Sequence, residues 1–207
     1  MGLLADFRAA AVARGRLPDD AQLTVAAIFA VVRDLPYERA SDRRPTTTIA
    51  EWRATCTGKH VLLHALYTEF GLHAALIHAA HEFTRENAPW APPTLAAILA
   101  AGPVPDVHTF LRLERQSQWT TVDATWPLAA TRLGLPVNER FADGRDMHVA
   151  CDPDELFHVP DPGDVDAVDA LKERILANHA GAQRPRRDAF ITGLSDWLRD
   201  ELARGTG

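Results

Sequence analysis

The sequence has no apolar run approaching the roughly 20 residues that a membrane-spanning helix needs, and its start shows no signal-peptide pattern. A cytosolic protein with no membrane partner is therefore expected. Cysteine is scarce: Cys56 and Cys151 are the only two, and in a reducing compartment such a pair reads as free thiols rather than a bridge. Positive charge is in deficit, with 22 Lys and Arg against 28 Asp and Glu and a net charge of −6, which argues against nucleic acid or anionic lipid as a general partner. The one basic cluster, Arg184-Pro185-Arg186-Arg187, precedes a terminal helix and reads as a solvated joint. The acidic stretch from Asp152 to Asp166 lacks EF-hand spacing. The Glu-containing helix motif of zinc hydrolases is missing too. His60 with His64, and His78 with His81, therefore read as solvent-facing groups or single hydrogen-bond donors, and neither a metal nor any other cofactor is expected.

What is present suffices for one well-filled core: 207 residues, 46% hydrophobic, with no internal repeat or low-complexity tract, read as a single domain over 1–207. Ala-rich helical patterns cover 3–14 and 20–34, broken by Leu17-Pro18 and Leu35-Pro36. Thr48 is placed to cap a short helix leading to Cys56. Leu62, Leu63, Leu66 and Phe70 recur at helical spacing up to Gly71, with His60, His64 and Thr68 on another stripe, which predicts a half-buried helix that starts near Cys56. Residues 73–83 read as a strand. The Pro- and Ala-rich segment from Arg85 to Asp106, with a short helix at 94–101, reads either as a wall or lid of a cleft, with Trp90 as a candidate contact, or as simple surface packing that can be shortened without loss of the fold. A short strand is expected around Cys151, and helices over 166–179 and 187–203, with Phe190, Leu194, Trp197 and Leu198 as core positions.

Three residues carry the chemistry. A thiol that attacks a carbonyl needs a base to take its proton, and the base needs a third group to fix its tautomer and orientation; Cys56, His108 and Asp123 supply those roles. The unpaired N–H groups and positive dipole end of a helix start favour a thiolate at Cys56 and provide a place for an oxyanion. Strands over 107–113 and 118–125, turning about Arg115 and Gln116 in a four-residue loop, would set His108 opposite Asp123, Phe110 opposite Thr121 and Arg112 opposite Trp119. Residues facing each other in this way have Cβ atoms about 4.5 to 5.5 Å apart, within reach of a carboxylate–imidazole contact.

The run Trp52-Arg53-Ala54-Thr55-Cys56-Thr57-Gly58-Lys59-His60, the apolar helix after it and Phe70-Gly71-Leu72-His73-Ala74 resemble the nucleophile segment of the bacterial transglutaminase-like superfamily. His108 and Val122-Asp123-Ala124-Thr125-Trp126-Pro127 resemble its histidine and aspartate segments, in the same chain order. The resemblance spans residues 25–127. It implies an α+β fold with a papain-like core: Cys at a helix start, packed on an antiparallel sheet that carries His and Asp, with extra helices at both ends. It implies acyl transfer or hydrolysis at an amide, peptide or ester carbonyl through a thioester. The donor would be a peptide, protein or small amide, and the acceptor water or an amine. Ala54 and Thr109 depart from the Gly and the aromatic residue frequent in the family, and Trp52 is placed as an oxyanion donor only by its proximity. Two alternatives stay open: a non-catalytic relative that binds in its cleft, and an arylamine N-acetyltransferase-like enzyme, whose Arg-Gly-Gly-x-Cys signature Trp52 to Cys56 do not match.

Overall fold

The two Ala-rich stretches become helices α1 (Leu3–Ala13) and α2 (Val25–Arg33) in the computed structural model, which describes residues 2–204. Helix α2 starts later than its composition suggests because the Thr24 hydroxyl accepts the Ala27 N–H at 3.1 Å and fixes the cap. Helix α3 (Pro45–Glu51) begins at Pro45, so Thr48 lies buried inside it and is not its cap; proline's fixed φ and missing N–H suit a first turn. Then follow α4 (Cys56–Glu69), β1 (Ala74–Phe83), α5 (Pro93–Ala100), β2 (Val104–Arg115), β3 (Gln118–Val122), β4 (Glu155–His158), α6 (Val165–Ala180) and α7 (Arg184–Arg204). The expected strand around Cys151 is absent. The fourth strand forms a few residues later, inside the acidic stretch, where Glu155–His158 pair with β1.

The result is an α+β architecture with seven α-helices among the described residues and one antiparallel sheet in the order β3-β2-β1-β4. Side chains alternate across β2, so Val107, Thr109, Leu111 and Leu113 share one face and Asp106, His108 and Phe110 the other. On the first face Leu111, Leu113, Leu76 and Val122 meet Leu62, Leu63 and Leu66 of α4 in the main core, which α1, α2 and α3 complete. Farther along that face Val107 and Ala80 pack on Ile175 and Leu176 of α6. On the second face Phe83 packs on Phe190 of α7, with ring centres 4.9 Å apart.

The hairpin differs from its expected register. Gln116 and Ser117 both have positive φ (50° and 61°), as a two-residue type I′ turn requires, and the pairs are Leu111 with Val122, Arg112 with Thr121 and Glu114 with Trp119. The missing Asn-Gly signal thus misled the expectation of a four-residue loop. The shift is two residues, which preserves every facing. It leaves Asp123 one step past the last ladder pair and diagonal to His108.

Candidate active site

Helix α4 starts at Cys56 because Thr55 is extended (φ −84°, ψ −179°) and the Lys59 N–H closes the first turn onto the Thr55 carbonyl at 3.0 Å. Gly58 lets the incoming chain fold close against that turn: a Cβ there would come within 3.0 Å of the Ala54 Cβ. The first-turn N–H groups have no partner within the helix, and Cys56 is its first residue.

The structure brings Cys56, His108 and Asp123 together, each 6% exposed or less. His108 Nε2 meets Asp123 Oδ2 at 2.7 Å. The carboxylate also accepts the Ala150 N–H on Oδ2 and the Thr125 N–H on Oδ1, both at 2.9 Å, which fixes its plane. With Nε2 engaged, Nδ1 is the nitrogen left for the thiol. Burial alone would raise the Cys56 thiol; Lys172 and then His108 outweigh it and bring it down to about 6. Burial would lower His108, but the Asp123 charge and hydrogen bond prevail and raise it to about 10. Asp123 is held well below the carboxylate range against its burial, chiefly by His108. At neutral pH the centre is therefore a thiolate–imidazolium pair backed by a carboxylate.

Several groups of the centre carry no signal in the sequence. Lys172 of α6 puts Nζ 2.7 Å from Thr57 Oγ1 and 3.9 Å from Cys56 Sγ. Thr57 Oγ1 in turn lies 3.0 Å from Thr109 Oγ1, which lies 3.0 Å from His78 Nδ1. Thr109, where the family often has an aromatic residue, thus supplies a hydroxyl on the sheet face opposite His108 that links Thr57 to His78. Asp106 accepts Arg187 Nε at 2.8 Å, so the basic cluster at 184–187 is not a solvated joint throughout: Arg187 is buried and anchors α7 to β2. Of the two expectations for the histidines, solvent exposure fails for His60, His78 and His81, which are buried, while a single donated hydrogen bond holds for His60, His64 and His78, to the carbonyls of Cys56, Ala74 and Val168. His60 bonds the Cys56 carbonyl through Nδ1 at 2.8 Å and accepts the Ala124 N–H on Nε2 at 2.9 Å. Burial, and then the Cys56 charge, holds the Tyr37 phenol well above its ordinary value.

Trp52 does not serve the site. It adopts a left-handed conformation (φ 55°) and stacks on Phe7 at 6.2 Å, under Arg14, in the main core. Trp90 does form a wall: with Phe83, Trp126, His81 and Cys151 it lines a cavity of about 50 Å³ beside Ala150, the residue whose N–H holds Asp123. Burial pushes the Cys151 thiol up, opposite to Cys56. A polar cavity of about 260 Å³ flanks the start of α4, lined by Arg39, Arg43, Thr55, Gly58 and Asp169. Among the described residues no group of three or more His, Cys, Asp or Glu is arranged to hold a metal ion, and no helix is long and apolar enough to cross a membrane. Compared with protein-family models, curated proteins and solved structures, the chain matches none of them.

Proposed function

We propose that the chain is a transglutaminase-like, papain-like cysteine enzyme that transfers or hydrolyses an acyl group at an amide, peptide or ester carbonyl. The observation that carries this reading is the relay from the Cys56 thiol through His108 to Asp123 at the start of a 14-residue helix. The Cys56 thiolate attacks the carbonyl carbon, and the first-turn N–H groups of α4 receive the oxyanion. The carbon–nitrogen bond then breaks as the His108 imidazolium donates its proton to the leaving amine, giving a thioester on Cys56. In the second step neutral His108 takes a proton from water or an acceptor amine, which attacks the thioester. The sulfur leaves as thiolate and the imidazolium is restored. Asp123 holds the imidazole in one orientation throughout and is not itself protonated.

Intact-mass analysis after incubation with activated acyl and small peptide donors tests this. A mass increase of one acyl group is expected on the wild-type chain and none on Cys56→Ala. Asp123→Asn can present an N–H to the imidazole and favours the wrong tautomer, so turnover should fall by about 10- to 1,000-fold with the fold intact. No adduct with any donor, on a thiol that small alkylating reagents still reach, would support the non-catalytic binding reading instead.

A further inference from the structure

The charged groups around Cys56 sort into pairs. Asp123 is matched by His108 at 2.7 Å and Asp106 by Arg187 at 2.8 Å. Arg43, the nearest cation from the loop before α3, is engaged by Asp169. His78 and His81 on β1 are kept neutral by burial, and Tyr37 keeps its proton. That leaves Lys172, 4% exposed, with no carboxylate within 4.0 Å of Nζ among the described residues. Buried Lys59 is different, because two backbone carbonyls, of Arg33 at 2.6 Å and Thr125 at 2.9 Å, receive its N–H groups. Lys172 has only a hydroxyl and a sulfur. Burial lowers the Lys172 amine, opposed first by the Cys56 sulfur and then by Asp106, which Arg187 already pairs. A buried ammonium without a counter-ion in contact is costly, and the group touching Nζ that is able to become an anion is the Cys56 thiol at 3.9 Å.

The hydroxyl chain agrees with that role. His78 Nε2 donates to the Val168 carbonyl at 3.3 Å, which leaves Nδ1 as an acceptor for Thr109. Thr109 therefore accepts from Thr57, and Thr57 accepts from Lys172. Every proton in the row points away from the ammonium, which holds Nζ in place and leaves its remaining N–H groups free for the sulfur.

We propose that Lys172 is a fourth catalytic residue, the counter-ion that keeps Cys56 a thiolate before substrate arrives, while His108 is matched to Asp123 and reserved for proton transfer. This rests on the reading of Cys56 as the nucleophile. It divides the labour: Lys172 sets the charge of the sulfur, and His108 moves protons.

The test is the pH profile of Cys56 alkylation by iodoacetamide, followed by mass. The wild-type inflection should lie near 6. In Lys172→Met it should move up by at least about one unit, slowing alkylation near neutral pH by roughly 10-fold, and Lys172→Arg should restore the low inflection. In His108→Ala the inflection should move less than in Lys172→Met while turnover is lost. A reciprocal measurement does not depend on the lysine variants folding: in Cys56→Ala, the Lys172 Nζ followed by NMR should lose its proton at lower pH than in the wild type. An inflection unmoved in folded Lys172→Met, or a Lys172 titration unmoved in Cys56→Ala, overturns the assignment and leaves the thiol reading standing. A wild-type Cys56 with no inflection below that of an ordinary thiol overturns both.

Discussion

His60, one turn into α4, spans two backbone groups that must be neighbours for the triad to form: its ring joins the Cys56 carbonyl to the Ala124 N–H, next to Asp123. Burial lowers its pKa to about 4, so it stays neutral and keeps one tautomer, Nδ1 donating and Nε2 accepting. In His60→Ala the Ala124 N–H would lose its acceptor and a ring-sized void would open, so stability should drop by about 2 to 4 kcal/mol and Cys56 alkylation should slow. Urea denaturation and the alkylation rate read the two effects, and a variant as stable as the wild type would refute the role. That Cys56, His108 and Asp123 come together was legible in the sequence because they fall at a helix start, on β2 and just past the end of β3. Lys172 was not, because it reaches the thiol from 116 residues away and is followed in its helix by exposed, charged Glu173 and Arg174, which make it read as one more surface charge. His60 does leave a signal, four residues after Cys56, but its spacing alone does not separate a solvent-facing ring from a buried one that donates a single hydrogen bond, and the helix reads as only half-buried. In fact every residue from Cys56 to Leu63 is buried.

At the scale of elements, the segment from Arg85 to Asp106 is more than a wall. Ala88, Leu95 and Leu99 form a second core with Phe190, Leu194 and Leu198 of α7, and Trp90 stacks on Trp197 with ring centres 6.0 Å apart. Gly193 allows α5 to approach, since a Cβ there would come 3.0 Å from Leu95 Cδ2. Removing residues 86–102 should therefore unfold this half of the molecule, and Leu95→Ala alone should cost about 2 to 5 kcal/mol. A urea midpoint unchanged in Leu95→Ala would count against the second core. Helices and long strands were legible from their periodicity. The register of the β2–β3 hairpin was not, because Gln116 and Ser117 take positive φ without the usual residues. Strand β4 escaped notice because four residues in a Pro- and Asp-rich stretch give too short an alternation to recognise.

For the whole molecule, the buried histidines set the acid limit. Burial lowers His60 to about 4 and His78 and His81 to about 3, against an ordinary value of 6.5. Below 6.5 the unfolded chain binds protons that the folded chain refuses, so their contribution is full above 6.5 and is lost as pH falls toward these values. Three such groups give a slope of up to about 4 kcal/mol per pH unit. The Cys56 thiolate, lowered from 9.0 to about 6, contributes fully above 9.0 and loses that contribution as pH falls toward 6, ahead of the histidines. His108 works in the other direction: raised to about 10, it contributes fully below 6.5 and is lost as pH rises through 10. Urea midpoints measured across pH should therefore show a plateau around neutral to mildly alkaline pH and a steep fall below 6.5. A midpoint that is level from pH 7 to pH 5 would contradict the buried, neutral state of the histidines.

The side-by-side matching of Asp123 with His108, Asp106 with Arg187 and, as proposed, Cys56 with Lys172 has a consequence for descent. Each pair is neutral only as a pair, and the loss of one member strands the other charge in a dry interior, where the penalty exceeds that of losing both. A lineage carrying this site would drift through it in compensated double steps rather than single ones. Asp106 and Arg187 lie on different elements far apart in the chain, so relatives should keep both or have exchanged both for apolar residues.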